Sequence, residues 1–483
     1  MAVEFVHGPN FCFSSTPSRR DILMNNSQVK RQRLNHDDTD RINSLPDGVL
    51  IHMLSFLPTA DAVRTCILSK RWEFLWTYLR NINFDDRLYL GEVNMWNPQP
   101  GLTRFLDGIG DELVSQFMFD MKKLRLSFRV FFDAIRVHNW LVSAILRKVL
   151  DVDLCLFVGE PFILPQMVFV STSLTVLKIE MNSVLQLPRD ISLPCLKTLC
   201  LSLVTFSGTK LTQKLFSSCP VLEDLALVDC EWLFIRSVTI SIPTLKTLKM
   251  DELPCFGSTD SINDCQIKIY GENLVSLKYN GSLSNDIFLY NISSLVVAYI
   301  DIPNLYKMDR EIARRGAKLL RGLGNAQYVR MSNGAIESVF LAENFLDHLP
   351  IFRKLVHLKL NMVIGACTIG ALMDLFQRSP NLESIIFSKG IDDDLDIRDD
   401  VWKLKYAPEC LFSHLKTIDL HWFRGIKTEI NLLKLVLKFA PVLERINIHC
   451  SKILLQDMNK RNEIFKQLLM LEDGPRVCTI VFL

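Results

Sequence analysis

From about residue 121 to the end of the chain, apolar residues recur in one spacing. An apolar residue is followed by two variable positions, a second apolar residue, one variable position and a third. The pattern reads Leu174, Leu177, Ile179; Leu196, Leu199, Leu201; Leu222, Leu225, Leu227; Leu245, Leu248, Met250; Leu274, Leu277, Tyr279; then Leu355, Leu358, Leu360; Leu382, Ile385, Phe387; Leu415, Ile418, Leu420; and Leu443, Ile446, Ile448. Weaker copies start at Met121, Val149, Leu295 and Ala326. Alternation over the last positions predicts a short strand with one face inward, because successive side chains of a strand point to opposite sides. Three copies share a junction, Cys219-Pro220-Val221-Leu222-Glu223, Ser379-Pro380-Asn381-Leu382-Glu383 and Ala440-Pro441-Val442-Leu443-Glu444. Each follows a helical run such as Leu211, Leu215, Phe216 or Leu372, Leu375, Phe376, so helix, proline stop and strand make one unit.

The steps between first positions are 22, 26, 23 and 29 residues from Leu174 to Leu274, and 27, 33 and 28 from Leu355 to Leu443. These bracket the leucine-rich-repeat period of about 20–29. The predicted fold is α/β: a curved leucine-rich-repeat solenoid with parallel strands on the concave face and helices on the convex face. Outward strand positions then form columns, and the concave sheet is the expected place for ligand selection. Early columns are mixed: Val176, Lys178, Glu180; Thr198, Cys200, Ser202; Asp224, Ala226, Val228. Late ones are polar: His357, Lys359, Asn361; Thr417, Asp419, His421; Arg445, Asn447, His449. The residues assigned to target binding are Asp224, His357, Lys359, Asp419, His421, Arg445, Asn447 and His449.

Ahead of the repeats the pattern changes. In 40–86 Leu45-Pro46-Asp47 opens a helix, with proline at its start and an acidic group at the positive end of the dipole. Val49, Leu50, Met53, Leu54 and Leu57 follow helical spacing to Pro58. Thr59 can cap a second helix through Ala62, Val63, Cys66 and Ile67, and a third short one carries Trp72, Leu75 and Trp76. So short a segment holds more large apolar side chains than it can bury alone, which predicts a partner or a capping role.

Composition narrows the classes. Hydrophobic residues are 49% of 483 and mean hydropathy is +0.18. No apolar run reaches the ~18 residues of a membrane span, so this content is expected inside protein. The net charge of +2, from 55 basic and 53 acidic residues, provides no global field for nucleic acid. The 13 cysteines, scattered without a CxxC pair or metal-ligand spacing, read as small buried hydrophobes in a reducing compartment. Residues 1–39 read as a disordered leader without a secretory signal, and Lys30-Arg31-Gln32-Arg33 as a weak nuclear-import patch. A nuclear or cytoplasmic address follows, where the sequons at Asn280 and Asn291 meet no glycosylation machinery.

The ordered run Leu45-Pro46-Asp47, Leu50, Leu54, Leu57-Pro58-Thr59, Ala62-Val63, Leu68-Ser69-Lys70-Arg71-Trp72 and Leu75-Trp76 closely resembles a plant F-box. Trp402, Ala407-Pro408-Glu409-Cys410-Leu411 and His414-Leu415-Lys416, with the ending Leu468-Leu469 to Cys478, Val481 and Phe482, resemble the FBD region of plant F-box/FBD/LRR-repeat proteins. The domains drawn from these patterns are leader 1–39, F-box 40–86, repeats 87–400 and an FBD region 401–483 continuing the solenoid. The resemblance implies docking onto a Skp1-like adaptor and, through it, a cullin-RING ubiquitin ligase. Leu45, Pro46, Leu50, Leu54, Leu68, Trp72, Leu75 and Trp76 would face the adaptor or support the docking helices. The expected function is the substrate-recognition subunit of such an SCF-type ligase, its repeats holding an unknown target protein. A small-molecule-gated F-box receptor and a non-degradative scaffold are the alternatives.

No hydrolase elbow, zinc-protease, P-loop or dinucleotide motif occurs, so no catalysis, cofactor, membrane or nucleic-acid partner is expected. The acidic run Asp392–Asp400 lacks the glycine and terminal glutamate of an EF-hand loop and reads as a solvated loop. His421 and His449 share a column but offer only two ligands, short of a metal site. Arg310, Arg314, Lys318 and Arg321, with Arg315 beside them, fall on one predicted helix and read first as a solvated face, second as an anion grip.

Overall fold

The computed structural model describes residues 41–86, 121–129, 133–157, 162–252, 265–303, 310–341, 349–361, 366–389, 412–469 and 478–483. The leader, the acidic run and the Trp402 to Leu411 part of the FBD resemblance lie outside the described residues. The chain divides into two units, 1–80 and 81–483.

The first unit is helical. Helix α1 (Asp47–Leu54) begins after Pro46 and α2 (Thr59–Arg64) after Pro58. Each proline sits at a helix entrance, where its missing N–H costs nothing. Single 3₁₀ turns follow at Thr65–Ile67 and Leu75–Tyr78. The third helix expected around Trp72 is thus a tight turn, because Leu79 continues in extended backbone.

The second unit is built on one parallel sheet, whose strands lie side by side in chain order. They are β1 (Asn81–Asp85), β2 (Lys123–Phe128), β3 (Asp151–Leu156), β4 (Val176–Met181), β5 (Thr198–Ser202), β6 (Asp224–Val228), β7 (Thr247–Asp251), β8 (Ser276–Asn280), β9 (Val297–Asp301), β10 (Tyr328–Ser332), β11 (His357–Asn361), β12 (Ser384–Phe387), β13 (Thr417–Phe423), β14 (Arg445–Cys450) and β15 (Thr479–Phe482). The 40–86 bound drawn from sequence therefore runs past the helical unit: Asn81–Asp85 is the first strand, with Ile82 and Phe84 facing the core beside Leu124 and Leu126.

Register holds along the sheet up to one shift at the end of β13. The second position of each strand forms one buried row, through Leu124, Val152, Leu177, Leu199, Leu225, Leu248, Leu277, Ala298, Val329, Leu358, Ile385, Ile418 and Ile446. The fourth position forms a second such row. A one-residue slip would turn both rows to solvent, which locks the register. The weaker copies at Met121, Val149, Leu295 and Ala326 all sit ahead of in-register strands, so the described strands between 276 and 332 keep the repeat.

The shared junctions make one turn. The N–H groups of Leu222, Leu382 and Leu443 donate to the carbonyls of Cys219, Ser379 and Ala440, at 3.3 Å in all three. The Cys219 thiol and Ser379 hydroxyl also donate back to Leu215 and Leu375 carbonyls, tying helix end to turn.

The back layer carries the helices expected, including Ala134–Leu146, Arg310–Arg321 and Lys427–Phe439. Between β6 and β9 it is instead a parallel three-stranded sheet of Ser237–Ser241, Gln266–Tyr270 and Asp286–Tyr290. Val238/Ile240 and Ile267/Ile269 alternate with polar residues, a period-two pattern that suits strands and not helices.

Candidate functional site

Two surfaces stand out, one on each unit. In the helical unit Leu50, Leu54, Trp72, Leu75 and Trp76 are buried, so five residues assigned to adaptor contact form the unit's own core. Helical spacing could not separate them from Val49 and Met53, because an i, i+4 pair exists on each side of α1. Of the other three, Pro46 is exposed, Leu45 half-buried and Leu68 63% exposed. The large apolar residues left exposed among the unit's described residues are Ile42, Val49, Met53, Phe56, Leu57, Ile67, Leu68, Phe74 and Tyr78. So many exposed large apolar side chains on so small a unit call for a covering partner.

Arg71 holds this unit together in a way that sequence reading missed. Its Nε donates to Asp47 Oδ1 at 2.9 Å, and its guanidinium also donates to the carbonyls of Asn43 and Leu45. The Arg71-Trp72 element thus clamps the Leu45-Pro46-Asp47 entrance, Trp72 by burial and Arg71 by hydrogen bonds. The signal was present in the motif, a cation 24 residues after the acid at the helix entrance.

The second surface is the open face of the main sheet, where odd strand positions point outward. At its start the charges are matched. Lys123 meets Asp151 at 2.9 Å, Arg125 meets Asp153 at 3.8 Å, and Arg129 meets Glu180 at 3.0 Å. At the far end, Asn447 Nδ2 donates to Asp419 at 2.6 Å, and the rings of His421 and His449 stack 4.1 Å apart with 4° between planes. Burial pushes the His421 imidazole below its usual range, aided by His449 and Lys359 and opposed by Asp419. Among the described residues no cluster of three or more His, Cys, Asp or Glu is placed to hold a metal.

Beyond this pair β13 bulges between His421 and Phe423. Trp422 takes φ +59° there and lies 62% exposed. The Glu429 carboxylate accepts from the N–H groups of Arg424, Gly425 and Ile426, at 2.9, 2.8 and 3.3 Å, and so holds the chain after the bulge. Desolvation raises that carboxyl against these three donors.

The target-binding residues chosen from sequence divide accordingly. Asp419, His421, Arg445, Asn447 and His449 come together on β13 and β14. His357 and Lys359 lie on β11, with β12 between. Asp224, on β6, is separated from them by several strands and takes a 3.4 Å hydrogen bond from Thr198.

Sequence reading took only Lys359 from the row that crosses the middle of the face. There the third strand position runs Lys249, Lys278, Tyr299, Arg330, Lys359 across β7 to β11. Extending the columns through the weaker copies at Leu295 and Ala326 would have found it. A hollow of about 390 Å³ opens here, lined by Lys278, Asn280, Tyr299, Asp301, Arg330 and Ser332.

On the arginine-rich helix Arg310–Arg321, Arg310 and Arg321 are exposed, as a solvated face expects, but Arg314, Arg315 and Lys318 are turned to the protein. Arg314 and Lys318 both reach Asp286 (3.4 and 2.8 Å), and Lys318 lies 4.5 Å from the Phe288 ring centre. Arg315 is buried and donates to the Leu283 and Ser284 carbonyls. Paired with Arg314 and Arg315, Glu311 is held down at about 2. These cations staple the helix to the neighbouring back-layer strand.

A small helical unit ahead of a parallel solenoid with a period of leucine-rich-repeat length defines a leucine-rich-repeat protein with an N-terminal helical module. Residues 114–473 match the family described as At1g61320/AtMIF1, LRR domain. The F-box/LRR-repeat protein At4g14096 of Arabidopsis thaliana is 30% identical, over 89% of this chain and 92% of its own length. F-box/LRR-repeat protein At4g14103 from the same plant is 33% identical over 72% of this chain and 91% of its own length. The putative F-box protein At3g58860, also from Arabidopsis thaliana, is 29% identical over 92% and 97%. The chain belongs to the plant F-box/LRR-repeat family.

Proposed function

We propose that this chain is the substrate-recognition subunit of an SCF-type ubiquitin ligase. Its helical unit docks a Skp1-like adaptor, and the open sheet face holds the target protein. The observation that carries this reading is the set of exposed apolar side chains from Val49 to Tyr78 on a unit whose own core is already filled by Leu50, Leu54, Trp72, Leu75 and Trp76. Family membership supports it, since related plant chains matched over about nine-tenths of this chain bear the F-box name. The chain supplies no bond chemistry. It holds the target beside a charged ubiquitin-carrying enzyme, and the gain is effective concentration. Its place of work is the nucleus or cytoplasm, which a fluorescent fusion would show.

Co-purification from plant cells under proteasome inhibition tests the reading, comparing the intact chain with one lacking 41–80. Adaptor and cullin should accompany only the intact chain, and targets both. Adaptor retained on the truncated chain, or absent from both, overturns it.

A further inference from the structure

The five third-position residues on β7 to β11 differ from the start of the open face in charge balance. The cations of β2 have aspartates of β3 opposite them. Lys249 is paired with Asp251 of its own strand at 2.5 Å. Among the described residues Lys278, Arg330 and Lys359 have no ion-pair partner, and the remaining acid of this patch, Asp301, lines the hollow. The neighbouring outward positions are short or uncharged, with Ser276, Asn280, Ser332 and Asn361 beside the cations. Tyr299 and Tyr328, ring centres 5.7 Å apart, add an aromatic wall.

We infer that the row Lys249, Lys278, Tyr299, Arg330 and Lys359 seats an extended segment of the target protein that carries acidic side chains. This rests on the reading of the open face as the target-binding surface, and it names the substrate class. The dimensions fit. Parallel strands about 4.8 Å apart make the row roughly 19 Å long, which an extended peptide covers with about six residues. Same-side residues of such a peptide recur every ~6.7 Å, so carboxylates two and four positions apart can reach Lys278, Arg330 and Lys359 in turn. Lysine and arginine stems are long enough to adjust to that mismatch of period. A nucleic-acid strand is the poorer occupant, because three cations without an ion pair among the described residues, and no net basic field, provide too little counter-charge for it.

The probe is a fluorescein-labelled octaglutamate peptide titrated into the full chain, with octaglutamine and octauridylate as comparisons. Octaglutamate should bind, octaglutamine should not, and Lys278→Gln with Arg330→Gln should weaken binding about tenfold. A charge-matched double variant on exposed back-layer lysines, Lys210→Gln with Lys460→Gln, should leave it unchanged. Equal loss in both double variants, octauridylate binding as tightly, or displacement by millimolar inorganic phosphate at constant ionic strength would overturn the peptide seat. In cells the Lys278/Arg330 variant should keep the adaptor and lose targets. Targets retained alongside the adaptor overturn the acidic seat and leave the adaptor reading standing. An adaptor missing from the unaltered chain overturns the adaptor reading, whatever the peptide does.

Discussion

The division of the helical unit into core and face yields a quantitative test. Ile67 and Leu68 are 73% and 63% exposed in the free chain, so most of each side chain remains to be covered by a partner. Full burial of such a side chain stabilises by about 1.5–3 kcal/mol, and covering two-thirds of it by about 1–2 kcal/mol. Replacing both with serine should therefore cost about 2–4 kcal/mol of adaptor binding, about thirtyfold or more in Kd. Folding should barely notice, since exposed substitutions usually change stability by no more than about 0.5 kcal/mol. Leu54 is the contrast. It is 1% exposed, and Leu54→Ala should cost about 2–5 kcal/mol of folding stability through a lost core contact. Surface plasmon resonance against a Skp1-like adaptor, with circular dichroism of the same proteins, separates the two. Both substitutions should lower adaptor capture, but only Leu54→Ala should lower helix content or melting temperature. If Ile67→Ser with Leu68→Ser, and independently Val49→Ser with Met53→Ser, bind the adaptor as the unaltered chain does, the exposed apolar set is not the docking face.

Four further outcomes follow from the second unit. Glu252 accepts from the Tyr279 hydroxyl at 2.8 Å, Ser284 N–H at 3.1 Å and Asn285 Nδ2 at 3.0 Å, so Glu252→Ala should destabilise 279–286 by about 2–4 kcal/mol, read as lost hydrogen-exchange protection there. Burial holds its carboxyl above the usual range, so the folded chain binds more protons than the unfolded one; stability should fall as pH rises from about 4.5 through the folded pKa, and Glu252→Gln should flatten that slope. The His421 imidazole should titrate below 6.5 by NMR and move back upward in His449→Gln; since its folded pKa is depressed, its stabilising contribution is present above 6.5 and is lost as pH falls through the folded value. Burial pushes the thiols of Cys219 and Cys265 up to about 12, so iodoacetamide at pH 8 should modify exposed Cys195 and spare these two until denaturant is added; early modification of Cys219 or Cys265 would contradict their burial.

The strand ladder was legible because it is enforced residue by residue. Each copy supplies its own pair of buried side chains, and the weak copies at Leu295 and Ala326 stay in register through small or thin residues, Ala298 and Val329, that the ladder tolerates. The back layer was less legible, since a return segment need only cover the core. Ser237–Ser241 does so as a strand and Arg310–Arg321 as a helix, and only the local period tells them apart. Least legible was which surface group stands alone. Arg314, Arg315 and Lys318 look like a free basic cluster along the sequence and are consumed by Glu311, Asp286 and two carbonyls. Lys278, Arg330 and Lys359, scattered over more than eighty residues, form no cluster along the sequence and end on β8, β10 and β11 without an ion-pair partner among the described residues.

That inversion has a physical cause. In a solenoid, neighbours on a strand column are one repeat apart in sequence, so charge clusters on the open face form between residues about 20–30 positions apart. Clusters within one segment sit on a single element and are available for pairing with the next one, as Asp286 takes both Arg314 and Lys318. A recognition face in this architecture is therefore read down columns and not along segments. By that criterion the central columns of β8 to β11 carry net positive charge, whereas the β2 to β3 columns cancel and the β13 to β14 columns spend their polar groups on one another through Asp419, Asn447 and the stacked histidines. Groups already satisfied within the fold gain little from a ligand, because each new contact must replace an existing one. The centre of the sheet, more than its polar C-terminal end, is where an incoming acidic chain gains contacts without breaking any.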